Sequence, residues 1–596
     1  MSVPDDERAW WKEAVVYQIY PRSFNDADGD GIGDIPGVVE RLDYLDALGV
    51  DVVWLCPVYD SPNVDNGYDV SDYRAILDTF GTMADWEELL EGLHDRGIKL
   101  VMDLVVNHTS DEHEWFVKSR AGDPEYEDYY IWREGESVAE QAYEEGLYDP
   151  ADYGLPREAR ERPPNDWESF FGGPAWTYDD ERGEWYLHLF DRKQPDLNWD
   201  CDRVREEVFE LMEWWFEKGI DGFRMDVINL VSKPEGLPND PDDPFGGAMT
   251  GPTNGPRIHE FLSEMNDRVL DPDLLTVGEM LGPEMPMEHA RRYLDPDEDG
   301  LSMLFHFEHM LLDRGDAIWE RRDWALSELK AVFNRWDRGL GDGGWNSLYL
   351  NNHDQPRMVS RFGDDGEYRR ESATVLATLL HTLRGTPYIY QGEELGMTNY
   401  PFDSLDEFRD VDTLNPLREA IETGEIESFD AVKEAVRANS RDNARTPMQW
   451  DSTEHAGFTD GEPWIGVNPN YDEINVEDER ADPDSVWHYY RDLVSLRDEY
   501  DVVVYGDYEP LFPDDDTVWA YTRTLETDAG EERLLVALNF SDAAVAVGLP
   551  DGVGSDDATL LLGNYDAGDT DSVRELAAGE LHLRPWEARV YYDGAN

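Results

Sequence analysis

The sequence predicts an α/β chain built on a closed parallel (β/α)8 TIM barrel, with a subdomain inserted after the third strand and a C-terminal antiparallel β domain. Three observations carry that expectation. Eight short apolar runs alternate with longer amphipathic ones; the third connection is far too long for a barrel loop; and after residue 499 the runs become short and strand-like throughout.

The eight strand candidates are 14–20, 50–57, 98–106, 222–228, 274–280, 303–307, 347–352 and 386–390, each short and rich in β-branched or aromatic residues. Between them, 35–48, 83–96, 202–218, 258–270 and 370–384 place apolar residues at helical spacing. From Asn107 to about Trp199 the third connection carries aromatics, prolines and acids, so most of it is expected to be a separate subdomain over 107–174. The barrel is then expected to occupy 1–106 and 175–504. A helix-like run at 485–499 precedes strand candidates at 517–524, 533–540, 558–562 and 588–592, which predict a β-sandwich domain over 505–596.

Composition narrows the function. The chain has 596 residues, with 50 Lys+Arg against 134 Asp+Glu, a formal net charge of -84. The acids lie in nearly every connecting segment (Asp5-Asp6, Asp111, Glu112, Glu114, Asp240, Asp242-Asp243, Asp514 to Asp516), which argues for a solvated surface and against one cation-binding patch. Self-repulsion on this scale destabilises a compact fold in dilute buffer and is screened in molar salt, where the Debye length is about 3 Å. The expected setting is a salt-rich cytoplasm. A nucleic-acid partner is disfavoured because phosphates require the opposite charge. Two cysteines, Cys56 and Cys201, make no disulfide framework. No secretory leader of the usual type and no membrane span of ~18 apolar residues is read. The protein is expected to be a cytoplasmic monomer or small homo-oligomer.

On this frame Asp103, Asn107 and His108 fall towards the end of the third strand, Arg224 and Asp226 end the fourth, Glu279 ends the fifth, and His353-Asp354 follow the seventh. Strand ends of a parallel barrel open on one face, where its chemistry is done, so three carboxylates should converge there. Residues i and i+2 of a strand share a face, so Arg224 should point with Asp226, lower its pKa and hold it ionised. An ionised carboxylate held in a cleft suits a nucleophile at a sugar carbon.

Four segments in order, Asp103-Leu-Val-Val-Asn107-His108, Gly222-Phe-Arg224-Met-Asp226, Val277-Gly-Glu279 and Asn352-His353-Asp354, resemble the alpha-amylase superfamily, glycoside hydrolase family 13. Gln194-Pro-Asp-Leu-Asn-Trp199, Asn352-His-Asp-Gln-Pro-Arg357, Thr386-Pro-Tyr-Ile-Tyr-Gln-Gly-Glu-Glu394 and Arg441-Asp-Asn-Ala-Arg-Thr-Pro-Met-Gln-Trp450 resemble its oligo-1,6-glucosidase and alpha-glucosidase branch. The resemblance implies an exo-acting, retaining alpha-glucosidase releasing glucose from short isomalto- or malto-oligosaccharides. Asp226 would be nucleophile, Glu279 acid/base and Asp354 the carboxylate holding substrate hydroxyls, with the Asp226 and Glu279 carboxyls about 5–5.5 Å apart. Asp65, Tyr68, His108, Gln194, Arg224, His353 and Arg441 match positions around the terminal glucose, Tyr68 as its aromatic platform.

The loop Asp26-Ala-Asp28-Gly-Asp30-Gly-Ile-Gly-Asp34 alternates carboxylates with glycines, a spacing that wraps oxygens around a hard cation such as calcium. The resemblance adds the carbonyl of Ile32 and admits magnesium; a structural ion is expected. Val227, directly after the nucleophile, leans towards α-1,6 linkages within this branch. A sucrose isomerase or transglucosidase and a trehalose-6-phosphate hydrolase are the alternatives. The first commonly carries an Arg-rich loop after the seventh strand, and the second requires extra cations at the pocket.

Overall fold

A computed structural model describes residues 8–139, 148–157, 159–240, 253–282, 285–315, 317–528, 530–555, 557–565 and 569–594. The acidic pairs Asp5-Asp6 and Asp242-Asp243 lie outside them.

All eight predicted barrel strands form: β1 Val16–Ile19, β2 Val52–Leu55, β3 Lys99–Leu104, β4 Gly222–Met225, β5 Leu275–Met280, β6 Met303–His306, β7 Ser347–Leu348 and β8 Thr386–Tyr390. Parallel ladders join β6-β5-β4-β3-β2-β1-β8-β7 in one sheet. The seam between β6 and β7 is held by a parallel bridge, Leu304 to Asn346, and by the Tyr349 hydroxyl donating to the His306 carbonyl at 2.7 Å. The ring therefore closes, and its strands are buried from end to end as a double-wrapped parallel sheet requires. Gly222 makes the β4–β5 approach feasible, since a Cβ there would sit 1.9 Å from the Leu275 carbonyl oxygen.

The outer helices follow local rules. Met83–His94 starts in a capping box between Thr82 and Asp85. Asp202–Lys218 ends at Gly219, whose φ of 108° supplies the left-handed stop. Val486–Glu499 is capped by the Ser485 side chain.

The insertion reaches further than expected. Trp132–Arg133, Glu184–Leu187 and Trp176–Asp179 form one antiparallel sheet, so strands beyond residue 174 belong to it. Its apolar cluster, including Trp167, Phe171, Trp176, Trp185 and Phe190, also takes in Val227 and Leu230 of the barrel. The insertion thus leans on the end of β4. At the C-terminus Asp507–Leu511, Val518–Thr527, Gly530–Asn539, Ala588–Asp593 and Thr559–Gly563 form a five-stranded antiparallel sheet, and Val545–Gly548 pairs with Glu580–Leu583. Lys330 pins this domain to the barrel, its ammonium donating to the carbonyls of Phe512 at 3.0 Å and Val518 at 2.6 Å. Among the described residues no helix is long and apolar enough to cross a membrane.

Candidate active site

The site grows from one guanidinium. Arg224 on β4 lies in register with Asp103 on β3 and Val277 on β5, so its side chain meets carboxylates from both neighbouring strands. Its Nη1 donates to Asp103 at 2.5 Å and Asp226 at 2.7 Å, and its Nη2 pairs with Glu279 Oε1. The Trp54 ring flanks it at 5.1 Å, and the Trp54 indole donates to Asp103 at 2.8 Å. Arg224 and Asp226 share a side as alternation predicts, but the strand is shorter than expected and ends at Met225. Val227 takes φ 38° and ψ 39°, a left-handed conformation costly for a β-branched residue. That turn aims its N–H at Glu279 Oε2, 3.0 Å away.

The expectation that Arg224 holds Asp226 low is not met. Burial pushes the Asp226 carboxyl well above the usual carboxylate range; Arg224 opposes this, and Glu279 and Asp103 reinforce it. One guanidinium facing three buried carboxylates leaves negative charge uncompensated, which is why Asp226 is pushed up despite its bond to Arg224.

Asp354 shows the opposite balance. Burial alone would raise it, but His353, Arg441 and Arg445 together hold it well below the usual range. The contacts are Arg445 at 2.7 Å, His353 Nε2 at 3.1 Å and Arg441 at 3.2 Å. Both arginines also grip Asp410, at 2.5 Å from Arg441 and 3.3 Å from Arg445.

The other predicted sugar-binding residues form a linked ring. Gln194 Nε2 donates to Asp65 at 3.2 Å and lies 3.3 Å from His108 Nε2; that nitrogen is 3.0 Å from the Tyr68 carbonyl. Arg441 reaches Asp65 at 3.5 Å. The Tyr68 ring stacks on His353 at 5.2 Å and 7°, and its hydroxyl donates to Asp103 at 3.3 Å. Burial pushes Asp65 up to about 7, against Arg441 and Arg445, and pulls His108 down to about 4, so His108 is neutral. All ten predicted catalytic and sugar-binding residues therefore occupy one hydrogen-bonded neighbourhood.

Site-forming residues outside that set are Asp103, Asp410, Arg445, Phe171 and Phe190. Phe171 lies 5.1 Å from the Arg441 guanidinium and Phe190 5.0 Å from the His108 ring. Arg445 stands in the same motif as Arg441, and Asp103 opens the Asn107-His108 motif, so both had a signal; Asp410 and the phenylalanines had none.

In the acidic loop after β1, one carboxylate oxygen each from Asp26, Asp28 and Asp34 lies within 4.8 Å of the others. Asp30 stands apart from this trio and accepts from the Ile32 N–H at 2.8 Å. Burial pushes Asp34 up to about 6, with Asp26 and Asp28 adding to it against the N–H groups of Gly37 and Ala27. Gly31, at φ 95°, packs where a Cβ would meet the Glu462 carbonyl at 1.9 Å, so the loop is held against the 457–463 segment. Three convergent carboxylates in a held loop suit a hard divalent cation.

Residues 18–506 match the family model of the alpha-amylase catalytic domain. The chain is 54% identical to an oligo-1,6-glucosidase from Parageobacillus thermoglucosidasius, covering 98% of this chain and 99% of that one. Among solved structures, the trehalose-6-phosphate hydrolase of Bacillus licheniformis is 46% identical with a TM-score of 0.87, covering 98% of this chain and all of that one. The isomaltulose synthase of Protaminobacter rubrum is 42% identical with a TM-score of 0.88, covering 98% and 99%. With the barrel closed and three carboxylates meeting at its strand ends, the chain belongs to the alpha-amylase family of glycoside hydrolases.

Proposed function

We propose that this protein is an exo-acting, retaining alpha-glucosidase that removes terminal glucose from short α-glucosides, isomaltose-type substrates first. Its reaction has two displacements. Asp226 attacks the anomeric carbon as Glu279 protonates the departing oxygen; Glu279 then takes a proton from water, which releases the glucose with retention. The observation that carries this function is the ring Asp65–Gln194–His108–Tyr68–His353, joined through Arg441 to Asp354, a polar and aromatic constellation suited to hold one terminal sugar. Asp354, held ionised by His353, Arg441 and Arg445, is suited to accept hydrogen bonds from hydroxyls of that sugar. Val227, buried beside Glu279, supports the α-1,6 preference.

The relatives named for trehalose-6-phosphate hydrolysis and isomaltulose synthesis make those activities the alternatives. Against a phosphate ligand, Arg441 and Arg445 are already engaged by Asp354 and Asp410. The net charge of -84 supports work in concentrated salt inside the cell.

Rates on isomaltose, maltose, sucrose and trehalose 6-phosphate in roughly molar salt test the assignment. Isomaltose is expected to be cleaved fastest, with α-glucose as the first anomer seen by NMR, and Asp226→Asn to lose at least about 10⁴-fold. Isomaltulose from sucrose, or faster cleavage of the phosphorylated sugar, would overturn it. For the Asp26-Asp28-Asp34 loop we propose calcium, with magnesium as the alternative. Chelation is then expected to lower Tm by a few degrees and added calcium to restore it; Asp28→Ala should abolish that response.

A further inference from the structure

Past Met225 and Gly278 the β4–β5 ladder stops, and Glu279 is paired beyond it on its other side, with Phe305 of β6, yet the nucleophile and acid/base must still be held at a fixed spacing. The last paired residues are Met225 and Gly278. Beyond them Val227 turns left-handed, and the chain enters the 3-10 turn Ile228–Leu230. Asn229 in this turn is completely buried. Its Nδ2 donates to the Leu281 carbonyl at 2.7 Å, and its Oδ1 accepts from the Leu281 N–H at 3.1 Å. One side-chain amide thus satisfies both backbone groups of the residue two beyond Glu279, as a neighbouring strand would. The backbone carbonyl of Asn229 accepts from the Asn254 N–H at 2.9 Å.

We propose that Asn229 is a positioning residue for Glu279: its paired bonds to Leu281 replace the ladder lost at the Val227 turn and set the acid/base carboxyl against Asp226. This rests on the glucosidase function proposed above. Without the amide, two half-buried backbone groups of Leu281 lose their partners, so the segment shifts and Glu279 shifts with it. The Val227 N–H to Glu279 Oε2 bond is the second point of the same clamp.

The test is the leaving-group dependence of kcat/KM, which reports only steps through the first bond cleavage. From isomaltose the leaving group is a glucose, whose O6 needs the Glu279 proton as the C1–O bond breaks; from 2,4-dinitrophenyl α-glucoside it is a stable phenolate that does not. Asn229→Ala is expected to lower kcat/KM on isomaltose by about 10²-fold. The isomaltose-to-aryl ratio of kcat/KM is expected to fall at least about tenfold. Asn229→Asp, which keeps only the bond from the Leu281 N–H, should fall between Asn229→Ala and wild type. The ratio is independent of how much variant is folded, and Asn229→Asp decides it if Asn229→Ala gives no soluble protein. An unchanged ratio overturns the proposal while leaving the glucosidase assignment intact. A wild-type enzyme that cleaves neither glucoside overturns the assignment itself.

Discussion

Asp226 and Asp354 lie in the same barrel mouth, are both surrounded by protein, and titrate in opposite directions. Asp226 has one guanidinium, shared with Asp103 and Glu279. Asp354 has two guanidinia and a histidine. Glu393, just past β8, extends the series: the hydroxyl of Tyr490 donates to it at 2.7 Å, no guanidinium pairs with it among the described residues, and burial pushes it up to about 8. Along this series the number of cations in direct contact decides whether desolvation or Coulomb attraction prevails.

The strongest way to break the comparison is to strip a cation from Asp354. Arg445→Met leaves Asp354 with Arg441 and His353, and Asp410 with Arg441; removing one partner of such a buried pair costs about 3–5 kcal/mol. A lower Tm is expected, together with a fall in kcat/KM on isomaltose of about 10²-fold, since a misplaced Asp354 no longer orients the sugar. A variant with wild-type Tm and rate would show that Asp354 does not depend on Arg445.

A smaller change sharpens the Asp226 end. Asp103→Asn keeps a hydrogen-bonding side chain but removes a negative charge that raises Asp226. In the proposed reaction Asp226 acts ionised, so activity rises as pH rises through its pKa, and lowering that pKa moves the rise to lower pH. The acidic limb of kcat/KM is expected to shift down by about one pH unit. A shift upward, or none, would mean that Asp103 does not govern Asp226.

The smallest effect tests the end without a cation. Glu393 is neutral in the folded protein up to about pH 8 but ionises near 4.5 when unfolded. Between those values the folded state binds the extra proton, so this group's contribution to stability falls as pH rises and is flat outside the window. Glu393→Gln should therefore gain on wild type by a few degrees of Tm between pH 5 and pH 8. A Tm difference independent of pH would contradict the raised carboxyl.

The site was largely legible because its carboxylates are tied to strand ends. Asp226, Glu279 and Asp354 follow apolar runs whose length and order already imply a parallel barrel, and a barrel's topology brings such ends together. The turn at Val227 was not legible, since a β-branched residue after an apolar strand reads as more strand. Asp30 looks like its neighbours in the acidic loop, yet its carboxylate turns back to the Ile32 N–H while three others converge. The insertion's extent was also misread, because Trp176–Asp179 and Glu184–Leu187 carry the same strand pattern whichever sheet they join.

By itself the sequence determined the barrel, the small β domain, the acidic surface and the chemical types at the mouth, since all follow from local periodicity, composition and the order of segments. Only the tertiary structure decided how those groups are charged. Arg441 and Arg445 reach Asp354 from 87 and 91 residues away, and Asp410 joins them from a third segment. Arg224, though only two residues before Asp226, is divided among three carboxylates from three strands or strand ends. A carboxyl's proton affinity depends on the water it loses and on every charge within a few ångströms. Those are properties of the packed neighbourhood, and residues next to one another in sequence supply only part of it.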